Sequence, residues 1–166
     1  MLFTANLFAE WNNYVTNYKK ELFGKGSQTW QINAFNENWV YFANKNGLLQ
    51  YEGSSWKLYP LHNEADVRSL HISTKLKRIY VGEFGYFHAD ASGKLLYVNL
   101  SDSLPAQSKF NVGYWGVFEV DNIFYFVSDN FIVKQLGDEF TLIPSVHKID
   151  RSNVVNGSLY IGTYKG

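Results

Sequence analysis

The stretch RIYVGEFGYFHADASGKLLY, Arg78 to Tyr97, alternates apolar and polar residues, turns at a glycine and then alternates again. Its core, Ile79-Tyr80-Val81-Gly82, has relatives at Val40-Tyr41-Phe42-Ala43, Phe124-Tyr125-Phe126-Val127 and Leu159-Tyr160-Ile161-Gly162. The chain therefore repeats itself, and the repeat decides how the rest is read.

The copies share more than the tyrosine. Each opens with a short segment: Thr29-Trp30-Gln31-Ile32, Val67-Arg68-Ser69-Leu70, Tyr114-Trp115-Gly116-Val117 or Asp150-Arg151-Ser152-Asn153. The tyrosine strand follows, then a turn at Gly47, Gly85 or Asn130 and a third strand. A second turn (EGSS, DASG or LGDE) leads to a fourth strand carrying Trp56-Lys57-Leu58, Leu95-Leu96-Tyr97 or Phe140-Thr141-Leu142. Four antiparallel strands per unit is the blade of a β-propeller. The tyrosine intervals of 39, 45 and 35 residues bracket the period of roughly 40 to 50 expected of one blade. Ser101 to Asn111, polar and containing a proline, accounts for the long interval as an insertion. The tyrosines mark the fold, with their hydroxyls expected to find partners between blades.

The predicted fold is all-β, a partial propeller of about three and a half four-stranded blades near 29–61, 66–100, 113–144 and 147–166. That number is short of the four to eight blades of a typical closed ring, so a fragment of a larger ring is expected. Residues 10–28 form an irregular lead-in. Residues 1–9, MLFTANLFA, read as the remnant of a secretory signal peptide cut after Ala9, with a buried first strand as the alternative.

Composition limits the chemistry. The chain is 46% apolar and 18% aromatic, as suits packed, half-buried strands. Fifteen basic residues balance fifteen acidic ones, so no net field draws nucleic acid to this segment. With no cysteine, disulfides and thiol chemistry are excluded. No run approaches the roughly 20 apolar residues of a membrane span.

Several of these residues carry a family resemblance. WVYFANKNGLLQYEGSSWKLYPL, followed by VRSL and RIYVGEFGYF, resembles the N-terminal propeller of the large sensor-regulators of Bacteroidetes, built of two-component regulator propeller repeats. The likeness runs from about Asn17 to Gly166 and thins in the third blade, where Val127-Ser128-Asp129-Asn130 replaces the glycine-rich turn. The resemblance implies a periplasmic ligand sensor, anchored in the inner membrane at full length. It would respond to glycan-derived oligosaccharides and act through a histidine-kinase or helix-turn-helix output. It also implies partners in the rest of the ring, in the output domains and in a possible homodimer, with no nucleic-acid contact by this segment. Transcription regulation is the expected outcome.

No enzyme is expected. Glu37, Glu52, Glu64, Asp66, Glu83 and Asp90 fall mostly in turns, where solvation is the ordinary reason for an acid. Among them Glu83, which follows a tyrosine strand, is the one to follow. His62, His71, His88 and His147 show no metal-ligand spacing, so no metal and no cofactor is predicted. P-loop, calcium-loop and nucleophile-elbow motifs are absent from the sequence.

Binding is better supported. Trp30, Arg68, Trp115 and Arg151 fall at or near the starts of the innermost strands, with Glu83 and Lys45 in loops of the same rim. Aromatic faces and guanidinium forks suit sugar rings and sugar acids. A structural role stays open, with the tryptophans packing between blades and the arginines tying blades together. A carbohydrate hydrolase or lyase and a protein-interaction scaffold are the alternatives to the sensor.

Overall fold

The computed structural model describes residues 18–19, 28–104 and 113–165. The proposed signal remnant, nearly all of the lead-in and most of the 101–111 insertion lie outside them. The described chain is all-β. A first sheet holds β1 (Thr29–Ala34), β2 (Val40–Asn44), β3 (Gly47–Tyr51) and β4 (Trp56–Tyr59). The second holds β5 (Leu70–Ser73), β6 (Arg78–Val81), β7 (Gly85–Ala89) and β8 (Leu95–Asn99). The third holds β9 (Gly116–Val120), β10 (Ile123–Val127), β11 (Phe131–Leu136) and β12 (Glu139–Pro144). The fourth is the pair β13 (Ile149–Val155) and β14 (Ser158–Thr163). Every pairing is antiparallel between consecutive strands, and the first strands of successive sheets are neighbours. This is the propeller-like arrangement the repeat predicts.

Alternation explains the packing. In the second sheet Ile79, Val81 and Phe87 point to the first sheet, where they meet Tyr41, Ala43 and Leu48. Tyr80 and Phe84 point the other way, onto Phe124, Phe126 and Val133 of the third sheet. A sheet covered on both faces reads as a near-continuous apolar strand, which is why Ile79-Tyr80-Val81 is buried throughout. Each fully buried aromatic of this kind is worth about 1.5–3 kcal/mol of transfer free energy. In β14 only alternate residues are covered, and Tyr160, the fourth repeat tyrosine, is 61% exposed.

Polar ties join the sheets at one end of the strands. Val67 N–H donates to Asn44 O (3.1 Å), Tyr114 N–H to Gly82 O (2.9 Å) and Ile149 N–H to Asp129 O (2.7 Å). Ser69 Oγ donates to Tyr114 O at 2.9 Å. Gln31 Oε1 accepts from Leu70 N–H (3.0 Å), and Asn33 Nδ2 donates to Leu70 O (3.2 Å). The strands start later than expected, β5 at Leu70 and β9 at Gly116, and shortly before them the N–H groups of Val67 and Tyr114 are committed to a neighbouring sheet. A Cβ on Gly82 would collide with Tyr114 O, so this close approach requires glycine. The tyrosine hydroxyls depart from expectation. Tyr80 accepts from Arg78 Nη1 (3.4 Å) within its own strand rather than across sheets.

Candidate ligand-binding rim

The tied end of the strands carries the rim residues. Trp30 is the extra residue of a bulge in β1, since Thr29 pairs with Asn44 and Gln31 with Ala43. A bulge re-aims a side chain at a strand end. Arg68 directly precedes the Ser69–Gly82 tie. Trp115 stands one residue before β9, its N–H donating to Val127 O at 2.8 Å.

These three side chains converge. The Arg68 guanidinium carbon lies 4.4 Å from the centroid of the Trp115 ring and 5.9 Å from that of Trp30, within cation–π range of both. Arg68 Nη2 also lies 3.5 Å from Asp66 Oδ2. Trp115 is 51% exposed, which sets it apart from an indole packed away between sheets.

Glu83 completes the cluster. Burial pushes its carboxyl above the usual carboxylate range; Arg68 draws it back down and Asp66 raises it further. Its backbone oxygen accepts from the Tyr97 hydroxyl at 2.9 Å. Burial, reinforced by Glu83, raises the Tyr114 hydroxyl to about 12 and also holds the Tyr97 hydroxyl up. A desolvated carboxyl thus lies within electrostatic reach of an arginine with donors to spare, which itself stacks on an exposed indole.

Arg151 is elsewhere. Its side chain is 85% exposed and Nε pairs with Asp150 Oδ2 at 2.9 Å. Aligning Val67-Arg68-Ser69-Leu70 with Asp150-Arg151-Ser152-Asn153 makes it the counterpart of Arg68. The ladder shows a different match. Arg151 lies opposite Gly162, as Ser69 lies opposite Gly82. A bulge between Ile149 and Arg151 makes Asp150 the counterpart of Arg68 and Trp30. A one-residue shift turns a side chain to the other face. Lys45 is exposed, its N–H donating to Gln28 O, and no contact joins it to the Arg68 cluster among the described residues. Asp66, a turn acid by sequence, belongs to the rim through its contact with Arg68; its position two residues before Arg68 is the signal the sequence offers.

The remaining acids and histidines have ordinary surroundings. Glu52 accepts from Ser55 Oγ (2.7 Å), and Asp90 organises its own turn through Ser92 and Lys94. His71 pairs with Glu119 at 3.1 Å across the second and third sheets. Among the described residues no group of three His, Asp or Glu side chains could hold a metal ion, and no helix is long and apolar enough to cross a membrane.

Comparison with known proteins places the fold. No family model and no curated protein matches the chain. Two solved structures from B. thetaiotaomicron share its fold. One is the extracellular domain of a one-component system, with TM-score 0.61 and 18% identity over 81% of this chain and 20% of that one. The other is the extracellular domain of a hybrid two-component system, with TM-score 0.63 and 18% identity over 90% of this chain and 21% of that one. The chain therefore spans about a fifth of the length of each structure.

Proposed function

We propose that the chain is part of the periplasmic ligand-sensing propeller of a signal-transduction regulator, and that its rim binds an acidic oligosaccharide. The observation that carries this reading is the Arg68 guanidinium held against Trp115, with the Trp30 ring also within cation–π range. An exposed indole offers a stacking face for a sugar ring, and a guanidinium takes a carboxylate through paired N–H donors. Glu83 and Asp66 supply acceptors for sugar hydroxyls beside them. The shared fold with two extracellular regulator domains agrees with a sensing role.

A calorimetric titration with a panel of oligosaccharides tests the reading. Oligogalacturonides should bind saturably, and neutral cello-oligosaccharides of equal length about tenfold or more weakly, the equivalent of 1.4 kcal/mol for the missing charge-assisted bonds. Equal binding of both would remove the role given to Arg68. Cleavage of the oligosaccharide would favour the hydrolase alternative, for which the raised Glu83 carboxyl beside Asp66 is the specific pointer.

A further inference from the structure

The end of the strands opposite the rim holds a cleft between the first and second sheets. It has two lobes that share Trp39, Tyr41, Ala89 and Leu95 as walls. The larger, about 350 Å³, is mainly apolar and is closed by Phe35, Ile79 and Phe87. The smaller, about 210 Å³, is of mixed polarity, with Gln50, Glu52, Ser55 and Lys57 among its walls. Trp39 is 37% exposed and stacks on Phe35 with centroids 6.2 Å apart.

The side chain between the lobes is Tyr41, 2% exposed. Its hydroxyl has no hydrogen-bond partner among the described residues, and burial, aided by Tyr59 and Glu52, raises it to about 12. It is therefore a neutral donor and acceptor across the physiological range. Among the described residues Gln135 Oε1 is the one sealed side-chain atom without a partner, so the Tyr41 hydroxyl opens onto the cleft, where a ligand can reach it.

The next repeat supplies the reason for the vacancy. Tyr80 is the counterpart of Tyr41, and its hydroxyl is satisfied by Arg78, two residues before it. The residue two before Tyr41 is Trp39, whose indole is an aromatic wall in place of that guanidinium. The ring of Tyr80 also lies flat on Phe124 at 3.9 Å. The cleft between the second and third sheets has an orphan acceptor, Gln135 Oε1, but that atom is sealed from solvent. The first cleft alone of these two combines an aromatic wall, separate apolar and mixed lobes, and an unpartnered hydroxyl between them.

We propose that this cleft binds an aryl glycoside, with the aromatic ring in the apolar lobe beside Trp39, the sugar in the smaller lobe, and Tyr41 hydrogen-bonded at their junction. The larger lobe falls in the size range of small-ligand sites, and the smaller extends it. In the smaller lobe Gln50 is oriented by Tyr59, which donates to its Oε1 at 2.9 Å, and so presents its amide N–H groups. Glu52 offers a carboxylate and Lys57 an ammonium for sugar hydroxyls. The site is separate from the rim and does not rest on the rim's function.

The probe is p-nitrophenyl β-D-glucopyranoside, titrated calorimetrically into the full chain. Saturable one-to-one binding is expected, with glucose alone and p-nitrophenol alone each at least about tenfold weaker. Tyr41→Phe should weaken binding about five- to tenfold, the loss of roughly one hydrogen bond, with a melting temperature equal to or above that of the parent chain. Trp39→Ala should weaken it as well, and Arg68→Ala should leave it unchanged. Absence of saturable binding, unchanged affinity in Tyr41→Phe, or a loss caused by Arg68→Ala would overturn the proposal. So would a lowered melting temperature in Tyr41→Phe, which would give the hydroxyl a partner in the unliganded fold.

Discussion

The boundary between the second and third sheets and that between the third and fourth are built from the same repeat, yet they differ in kind. At the first, Tyr80, Phe84, Phe124 and Phe126 interlock, and Ser69, His71 and Tyr114 add polar ties. At the second, Ile149 is buried and bonded to Asp129, but β14 offers only half-covered Leu159 and Ile161. The rim follows the same contrast, with Arg68 stacked on Trp115 and Arg151 in solvent. A repeat motif thus fixes which residues can pack, while the contacts made by the neighbouring sheet decide how far they are covered.

Substitution of the core should expose this difference most strongly. Phe126→Ala, at a site with 0% exposure, should cost about 3–5 kcal/mol, and Ile161→Ala, half-buried, less than about 2 kcal/mol. Denaturant unfolding of the two variants checks the pair. Similar costs would mean that the fourth sheet is covered as fully as the others.

A smaller effect concerns Glu83. Its folded-state pKa lies above the usual value because of burial, so its protonated form is favoured in the fold. The associated stability is full below the unfolded pKa and is lost as pH rises through the folded one. Glu83→Gln should therefore melt slightly above the parent chain at pH 7, with the gain disappearing in acid. A gain that grows on acidification, or a loss at pH 7, would show that the carboxylate is held by a partner.

Much of this was legible in the sequence. The tyrosine strands, their turns and the order of strands follow from alternation and glycine placement, and the three four-stranded sheets appear where the repeat puts them. Trp30, Arg68 and Trp115 could be placed together because each stands at or near the start of a first strand, and Glu83 because it lies in a loop of the same rim. Arg151 was misplaced because a bulge inserts one residue without changing composition, and Asp150 took the position that the Arg-Ser match had assigned to it. The cleft beside Tyr41 was also hidden. Its open hydroxyl depends on Trp39 standing where the next repeat has Arg78, a difference that acquires meaning only once both tyrosines are seen between sheets.

The central claim is that Arg68 serves a ligand at the rim, whereas Arg151 does not. The direct measurement is calorimetric titration of oligogalacturonide into the parent chain, Arg68→Ala and Arg151→Ala, with thermal melting of all three. The account predicts a loss of about 10- to 100-fold in affinity for Arg68→Ala, equivalent to about 1.5–3 kcal/mol for bonds to a charged group, with little change in melting temperature and no change of either kind for Arg151→Ala. Unchanged affinity with a lowered melting temperature in Arg68→Ala would contradict it, assigning that arginine to holding the sheets together.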